Sequence, residues 1–485
     1  MQNKNLTLLT DLYQLTMMQA YFKKDIKDKT VVFDMFYRKN PFNNSYAIFC
    51  GLDSVIEYIQ NLKFTENDIN YLRKLNLFEE DFLEYLQNFK FTADLYSVKE
   101  GSVVFPMEPL IKVVGNILEA QLVETAMLTL INHQSLIATK ASRIKYVSDK
   151  EMFIEMGARR AQGESAAIYG SRASFIGGAT GTSNILAGKM YDIPLFGTHA
   201  HSFIMSFDNE YEAFLSYANT YKENIFLLID TYNTMKSGII NAIKVFEVLK
   251  KENRLPKSYG IRLDSGDIAY LSKKCRKLLD NAGFFDAKII ASNDLDENII
   301  NSLKMQGAKV DIWGVGTKLI TASDCPSFGG VYKMAAVISD KEVIPKIKKS
   351  DNIEKITNPG DKKVFRIIEK STNKIKADLI TLSDESYDNT KDLIIFDPKA
   401  IWKETTLIAG EYDIYPLHYK IFENGKLVYD KPTTKEIREY TKKELNLLWD
   451  ESRRLTNPHL VYVDLSKKLY DLKIKILKND HIGGK

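Results

Sequence analysis

The chain has 485 residues, which is too long for a single hydrophobic core and indicates two or three domains. Hydrophobic residues make up 45% of the chain and charged residues 27%, a balance that excludes a disordered or fibrous protein. Lys and Arg number 67 against 63 Asp and Glu, and a net charge of +4 over this length gives no reason to expect nucleic acid binding.

The first part of the chain mixes helices and strands. Residues 8–22 predict a helix that begins near Thr10 and Asp11. Residues 31–37 and 46–49 are rich in β-branched and aromatic side chains and predict strands. Residues 119–137 predict a long, largely buried helix.

Short apolar runs alternate with helical patterns through the middle of the chain. Continuous apolar runs of this kind are typical of buried parallel strands. The long alternation, with polar motifs after the strands, favours a TIM-like β/α barrel, with an open doubly wound sheet as the alternative. The predicted strands are residues 152–156, 193–197, 225–230, 259–264, 288–292 and 310–313, with residues 331–337 closing the series.

The C-terminal part returns to antiparallel signals. Residues 363–368 and 377–382 alternate as strands, and Asn424-Gly425 predicts a hairpin. The fold class is therefore α/β, with a barrel that carries the site and a second α+β domain built from both chain ends. The predicted boundaries are residues 1–140 packing with residues 345–485, and residues 141–344 for the barrel.

The cysteines Cys50, Cys275 and Cys325 lie far apart, and no CxxC pair occurs. This pattern argues against a disulfide framework and against a cysteine zinc site. The N-terminus lacks the pattern of a signal peptide, and no apolar run is long enough to cross a bilayer. The sequence therefore predicts a cytoplasmic protein without a membrane partner.

Polar clusters follow several predicted barrel strands, where such barrels place active sites. Arg262, Asp264 and Asp267 end the strand at residues 259–264. An arginine side chain donates two parallel hydrogen bonds to a phosphate, and paired carboxylates bind Mg²⁺ or accept hydrogen bonds from ribose hydroxyls. The alternative is that Asp264 or Ser265 simply caps the next helix.

Three further segments offer groups for a polar ligand. The small residues Gly314, Gly316 and Thr317 let backbone N–H groups approach an anion at the start of a helix, although a plain tight turn is the alternative. The glycine-rich turn that ends at Ser183 either lines a small polar ligand or is a flexible loop. Arg159, next to a second arginine, either meets a carboxylate or phosphate or belongs to a surface pair.

His199 and His201 follow the strand predicted at residues 193–197. A His-x-His pair can mark a metal-dependent barrel hydrolase, but a metal needs further ligands. One histidine acting as nucleophile or base is the better interpretation, and a buried core histidine is the alternative. No third ligand is evident among the remaining histidines, His133, His418, His459 and His481.

Taken together, these segments resemble the nicotinate phosphoribosyltransferase family over almost the whole chain. The resemblance implies an enzyme that joins nicotinate to the ribose of phosphoribosyl pyrophosphate, with ATP as co-substrate and Mg²⁺ as cofactor, as the first step of NAD salvage from nicotinate. It also implies an irregular barrel beside a domain from both chain ends, and a homodimer with sites at the interface. The segments that carry it are, in order, residues 9–14, 46–49, 134–140, 159–163, 182–184, 200–202, 228–232, 262–267, 314–318, 329–333 and 457–459.

The resemblance also implies roles in binding nicotinate. Tyr13, donated by the partner subunit, would stack on the pyridine ring, and Arg159 would pair with the carboxylate. Met156 stands where some relatives place an aromatic residue against the ring, and Ser202 adjoins the site. The closest alternative is the same chemistry on nicotinamide. That branch carries an Asp where this chain has Ser183, and because an Asp repels a carboxylate, Ser183 favours the acid.

The remaining implied roles concern phosphate and ribose. His201 matches the histidine that ATP phosphorylates, and the role of His199 stays open. Asp264 would serve the ribose hydroxyls and, with Asp267, Mg²⁺. The groups that would hold the 5′-phosphate are Arg262, Gly314, Gly316 and Thr317. The alternative from a different class remains a metal-dependent hydrolase that uses His199 and His201.

Overall fold

The computed structural model describes residues 5–24, 26–340, 342–352, 355–400 and 402–478. The chain divides into two compact units, one of residues 1–136 with 327–485 and one of residues 137–326. We call them the terminal unit and the barrel unit. A unit assembled from both chain ends confirms this feature of the predicted fold.

The strands are, in chain order, β1 (Thr30–Tyr37), β2 (Ala47–Ile48), β3 (Asp94–Ser97), β4 (Val103–Val104), β5 (Ile111–Asn116), β6 (Met152–Glu155), β7 (Gly181–Thr182), β8 (Ile225–Leu228), β9 (Tyr259–Leu263), β10 (Lys288–Ser292), β11 (Ile312–Val315), β12 (Gly330–Ser339), β13 (Glu342–Pro345), β14 (Lys362–Glu369), β15 (Lys374–Leu382), β16 (Leu393–Phe396), β17 (Glu404–Leu407), β18 (Tyr412–Pro416), β19 (Tyr419–Glu423), β20 (Lys426–Leu427) and β21 (Tyr462–Leu465).

The α-helices are α1 (Leu12–Lys23), α2 (Leu52–Gln60), α3 (Glu66–Lys74), α4 (Glu80–Gln87), α5 (Ile117–Leu122), α6 (Glu124–Ser148), α7 (Glu164–Ile176), α8 (Ile185–Tyr191), α9 (His201–Met205), α10 (Glu210–Thr220), α11 (Ile239–Lys251), α12 (Ile268–Asn281), α13 (Glu297–Met305), α14 (Thr317–Ile320), α15 (Thr434–Asn446), α16 (Asp450–Arg453) and α17 (Lys467–Lys478). Within the described residues, none of these helices combines the length and the apolar character that a bilayer span requires.

The terminal unit contains two large sheets, ordered β13-β12-β1-β5-β3-β19-β20 and β17-β16-β21-β15-β14-β18. The predicted antiparallel pair is β14 with β15. The predicted hairpin is also confirmed, because Asn424 and Gly425 both take the left-handed conformation, with φ of 47° and 71°, between β19 and β20. His481 lies outside the described residues.

The barrel unit is built on a parallel sheet ordered β7-β6-β11-β10-β9-β8. Five of its six strands, β6 and β8 to β11, are predicted apolar runs, and all four residues of β8 and of β11 are buried. The sixth, β7, lies in the segment predicted as a glycine-rich turn. Helices alternate with these strands along the chain, as in a β/α barrel. The sheet is an incomplete barrel, which agrees with the irregular barrel predicted from the sequence.

Two predicted barrel strands are different in the structure. Residues 331–337 lie in β12, which pairs antiparallel with β1 in the terminal unit. Its partly exposed pattern of burial suits that sheet better than the fully buried centre of a barrel. Residues 193–197 form a single bridge between Leu195 and Thr182, because Pro194 has no N–H to extend a ladder.

A buried ion-pair network supports the last turns of the barrel unit. The Lys140 Nζ lies 2.8 Å from a Glu297 carboxylate oxygen and 2.8 Å from an Asp324 oxygen, and the Arg143 Nε donates to Glu297 at 2.8 Å. Lys140 and Glu297 are both fully buried. The network joins α6 to the start of α13 and to the segment after α14.

Candidate active site

The carboxyl ends of the parallel strands meet at one edge of the barrel unit, and most of the predicted site residues lie there. Following the sheet order, the ends of β6, β11, β10, β9 and β8 are neighbours. Gly314 of β11 is in register with Ser292 of β10, and Arg262 of β9 is in register with Leu228 of β8. Segments that are far apart in sequence therefore form one surface.

Arg262 connects three of these segments. Its Nε donates to the Ser292 hydroxyl at 3.0 Å, its Nη1 to the Thr198 hydroxyl at 3.0 Å and its Nη2 to an Asp264 carboxylate oxygen at 2.7 Å. The side chain is 14% exposed, so these bonds are largely shielded from water. Sequence reasoning missed Ser292 and Thr198, whose only signal is a hydroxyl beside a strand end.

Asp264 is held as a carboxylate. Burial alone raises its pKa, but Arg262 and the Ser292 hydroxyl outweigh burial and bring the pKa below its ordinary value. One carboxylate oxygen accepts from both of these groups, and the other faces His201. An ionised carboxylate at this position can stabilise positive charge that develops on a bound sugar.

Asp230 adds a second carboxylate directly after β8. Its Oδ2 accepts the Asp264 N–H at 3.0 Å and the Ser265 hydroxyl at 2.6 Å. Its Oδ1 is buried and has no hydrogen-bond partner among the described residues. Sequence reasoning did not select Asp230 as a site residue, although a carboxylate that follows a buried apolar run was a usable signal.

His201 begins α9 and lies between the ends of β8 and β9. Its Nδ1 is 3.1 Å from the Thr231 hydroxyl, and its Nε2 is 3.7 Å from Asp264 Oδ2. The second distance is too long for a hydrogen bond. Because 40% of the side chain is exposed, the Nε2 edge is accessible to a substrate.

His199 has a different environment. Its Nε2 accepts the backbone N–H of Leu228 at 3.3 Å, so the proton of the neutral ring is on Nδ1. Burial lowers the pKa of His199 to about 4, which keeps the ring neutral. With one nitrogen accepting and the other protonated, the ring has no lone pair for a metal, and the His199–His201 metal pair is not formed.

The loop after β11 is shaped by small residues. A Cβ on Gly314 would lie 2.9 Å from the Met156 Sδ, so glycine leaves room for this side chain. Met156 is partly buried and packs on the apolar cluster at the barrel centre. Thr317 is exposed as the first residue of α14, and the Lys318 Nζ is bound to Asp296 at 2.9 Å.

The turns after β6 and β7 carry the two residues, Arg159 and Ser183, that are predicted to bind the carboxylate or to select for it. Buried Glu155 accepts the Thr182 hydroxyl at 2.6 Å and the Gly157 N–H, and thereby fixes the turns after β6 and β7. Burial raises the pKa of Glu155. Arg159 and Ser183 follow these turns and are exposed, and no ion pair to Arg159 occurs within the described ranges.

Three other residues predicted to belong to the site are Asp267, Ser202 and Tyr13. Asp267 caps α12 by accepting the Tyr270 N–H at 2.9 Å, so the helix cap falls on Asp267 and not on Asp264 or Ser265. Ser202 is exposed on the first turn of α9. Tyr13 lies on α1 of the terminal unit and is 48% exposed.

Family profiles match most of the chain. The profile of the N-terminal domain of nicotinate phosphoribosyltransferase matches residues 8–132, that of the nicotinate phosphoribosyltransferase family matches residues 152–379, and that of the C-terminal domain matches residues 361–473.

Individual proteins agree with the profiles. The nicotinate phosphoribosyltransferase of Bacillus subtilis (strain 168) is 48% identical over 474 residues, which cover 98% of this chain and 96% of that protein. The protein of the same name from Dictyostelium discoideum is 35% identical over 517 residues, covering 96% and 87%. The crystal structure of human nicotinic acid phosphoribosyltransferase superposes with a TM-score of 0.85 at 27% identity, covering 96% and 99%. The chain therefore belongs to the nicotinate phosphoribosyltransferase family and is a transferase enzyme.

Proposed function

We propose that the protein transfers the phosphoribosyl group of phosphoribosyl pyrophosphate to the ring nitrogen of nicotinate, releasing nicotinate mononucleotide and pyrophosphate in a reaction coupled to ATP hydrolysis. The names of the relatives support nicotinate as acceptor. The observation that carries the proposal is the arrangement of Arg262, Asp264 and His201 at one edge of the barrel. It combines a phosphate-binding cation, a carboxylate and an accessible imidazole.

The phosphate and ribose are assigned to the ends of β9 and β11. Arg262 uses three N–H donors on protein groups and keeps others for the 5′-phosphate. The backbone of Gly314 and Gly316 and the exposed Thr317 lie at the end of β11, with β10 between it and β9. Asp264 lies beside Arg262, where it would accept from the ribose hydroxyls and favour the cationic character of the sugar as pyrophosphate leaves.

The donor set fits Mg²⁺, which prefers one or two carboxylates together with substrate phosphates and water. Asp264 is ionised, and the unpartnered Oδ1 of Asp230 is a second carboxylate oxygen at the same edge. Asp267 caps α12 through one oxygen and keeps the other available. Bound Mg²⁺ would neutralise the charge of the leaving pyrophosphate. The described residues form no group of three His, Cys, Asp or Glu side chains that could hold a metal, so the proposed ligands are Asp264 together with one of Asp267 and Asp230.

Nicotinate is assigned to the end of β6. Arg159 would pair with the carboxylate, and Ser183 presents a neutral hydroxyl where an acidic residue would repel it. Met156 offers an apolar thioether for the pyridine ring. Ser202 lies on the first turn of α9, beside His201. These residues position the ring nitrogen for attack on C1 of the ribose, which is most of what this reaction requires of a protein.

His201 would couple ATP to this reaction. Its accessible Nε2 would attack the γ-phosphorus of ATP, ADP would leave, and water would later release phosphate from the histidine. Phosphohistidine beside Asp264 adds negative charge near the pyrophosphate site and so alters substrate affinity. Thr231 would hold the ring through Nδ1 during this cycle.

We further propose a cytoplasmic homodimer in which Tyr13 enters the partner's site. Apolar side chains that border the carboxyl edge of the barrel unit are exposed, among them Ile185, Met205 and Tyr232. Leu12 and Tyr13 are exposed on α1 of the terminal unit. Exposed apolar groups of this kind mark interaction surfaces.

Labelling with ATP that carries a labelled γ-phosphate, followed by peptide mapping, tests the coupling. We expect an acid-labile label on the peptide that contains His201. His201→Asn is expected to lose both the label and the ATP stimulation while keeping basal mononucleotide synthesis, and His199→Asn is the matched control that keeps the label. A label on His199, or ATP stimulation that survives in His201→Asn, contradicts the assignment.

A further inference from the structure

Among the residues that the structure describes, β8 ends the parallel sheet and has a neighbouring strand, β9, on only one of its two edges. On its paired side, the N–H groups of Ile225 and Ile229 donate to the carbonyls of Ser258 and Arg262 at 3.1 and 3.2 Å. Because successive N–H groups of a strand point to opposite edges, the N–H of Leu228 points away from β9. In a closed barrel, a neighbouring strand would supply a carbonyl for it.

His199 supplies that acceptor. The segment before α9 reaches the sheet through the bridge between Leu195 and Thr182, at the far end of the strand order from β8. At the open edge, the Nε2 of His199 accepts the Leu228 N–H at 3.3 Å. A side chain therefore accepts the hydrogen bond that a strand would accept in a closed barrel. We call this open edge of β8, at Leu228, the barrel seam.

The ring of His199 is fixed by aromatic contacts. Its centroid lies 5.4 Å from the Phe203 ring, 6.2 Å from Phe214 and 4.8 Å from Tyr217, which belong to α9 and α10. The residue is 8% exposed. An enclosed ring loses little conformational entropy when it forms its hydrogen bond. The imidazole can therefore hold α9 and α10 at a fixed distance from β8.

The residues on either side of His199 belong to the proposed site. The Thr198 hydroxyl accepts from the Arg262 Nη1 at 3.0 Å, and the His201 Nδ1 lies 3.1 Å from Thr231. Arg262 and His201 are expected to meet substrate, so these two contacts have to adjust during turnover. The bond from His199 to Leu228 involves neither of these two side chains and can remain in place.

We propose that His199 is a positioning residue, which closes the barrel seam at β8 and thereby sets the positions of Thr198 and His201 relative to Arg262 and Asp264. The effect on turnover rests on the proposed function. The structural part, the anchoring of residues 198–201 to the edge of β8, stands independently of it.

Three variants of the full-length protein separate hydrogen bonding from packing. His199→Leu keeps an apolar side chain among the aromatic rings and removes the acceptor. His199→Gln restores an acceptor oxygen at similar reach. Phe214→Leu is the control, since it loosens the packing around the ring while the imidazole acceptor remains.

The first measurement is amide hydrogen exchange of the peptides that contain Leu228 and residues 198–201. We expect at least about tenfold faster exchange in His199→Leu, near wild-type exchange in His199→Gln, and little change at Leu228 in Phe214→Leu. Unchanged exchange in His199→Leu overturns the proposal, whatever the enzyme assay shows. This readout also decides the structural part if wild-type protein proves inactive on nicotinate, so failure of the proposed function remains distinguishable.

The second measurement is steady-state kinetics with and without ATP. We expect His199→Leu to lower the ATP-stimulated kcat about tenfold to a hundredfold, as displacement of a positioned group does, with a KM for nicotinate close to wild type. His199→Gln should recover most of this loss. Equal loss in both variants, or a loss in Phe214→Leu as large as in His199→Leu, would show that packing and not the hydrogen bond matters and would overturn the proposal.

Discussion

At the scale of single residues, the site contains charged side chains that are hydrogen-bonded within the protein and others that remain accessible to a ligand. Arg262 and Asp264 are bonded to each other and to neighbouring hydroxyls. Arg159 is exposed, and no described carboxylate forms an ion pair with it. A guanidinium in that condition is suited to bind a ligand carboxylate, because no internal bond has to be broken first.

Removal of this guanidinium should therefore weaken acid binding selectively. Arg159→Ala is expected to reduce kcat/KM for nicotinate by the equivalent of about 2–5 kcal/mol, as for the loss of one partner of a hydrogen-bonded charge pair that the bound ligand covers. Ser183→Asp should raise the KM for nicotinate through repulsion. Steady-state kinetics check both, with Arg160→Ala as the control from the adjacent arginine. Wild-type nicotinate kinetics in Arg159→Ala and Ser183→Asp would remove these residues from the site.

The lowered pKa of Asp264 predicts a pH effect. Burial opposes ionisation, and Arg262 and Ser292 overcome it. A carboxylate with a lowered pKa contributes at neutral pH and loses its contribution only as the pH falls through that lowered value. Ser292→Ala removes a donor to the ionised form, so the pKa should rise.

The acid limb of the pH profile of kcat/KM should then move to higher pH in Ser292→Ala. Ser265→Ala is the matched control, because its hydroxyl donates to Asp230 and not to Asp264. An acid limb at the same pH in wild type and Ser292→Ala would mean that Asp264 is not the titrating group.

At the scale of elements, apolar runs predicted most of the barrel strands and the turns that follow them. They could not show that residues 331–337 pair with β1, since a partner some 300 residues away leaves no local signal. The sequence also placed His199 and His201 together, yet one ring is buried and the other accessible. That difference depends on the edge of β8 that faces away from β9, which exists only once the strands have assembled into the incomplete barrel.

The contact between the turn after β6 and the loop before α14 leads to a prediction about Gly157. A Cβ at this position would lie 2.7 Å from the Ile320 side chain and 2.8 Å from the Gly316 carbonyl oxygen. Gly157→Ala should therefore displace the loop that is proposed to hold the phosphate. We expect a lower melting temperature and a higher KM for phosphoribosyl pyrophosphate.

Gly197→Ala is the control for this experiment, because a Cβ there meets no atom within 4 Å. The melting temperature and the KM for phosphoribosyl pyrophosphate should change in Gly157→Ala and stay close to wild type in Gly197→Ala. If Gly157→Ala matches wild type in both measurements, the two turns are not packed as described.

At the scale of the whole molecule, the proposed homodimer makes each site depend on two chains. Mixing inactive Tyr13→Ala with inactive Arg262→Ala protein should restore part of the activity, because one of the two sites in each mixed dimer would contain neither substitution. Activity after verified subunit exchange is the measurement. Absence of any recovery would indicate that each chain supplies its own Tyr13.

All the assigned site roles depend on one reaction, the formation of a mononucleotide from nicotinate. The most direct test incubates the purified protein with phosphoribosyl pyrophosphate and Mg²⁺, with nicotinate or nicotinamide, with and without ATP, and quantifies both mononucleotides and pyrophosphate. We expect nicotinate mononucleotide and pyrophosphate in equal amounts, faster formation with ATP, and little product from nicotinamide. Preferential formation of nicotinamide mononucleotide, or no mononucleotide from either base, would rule out the proposed activity.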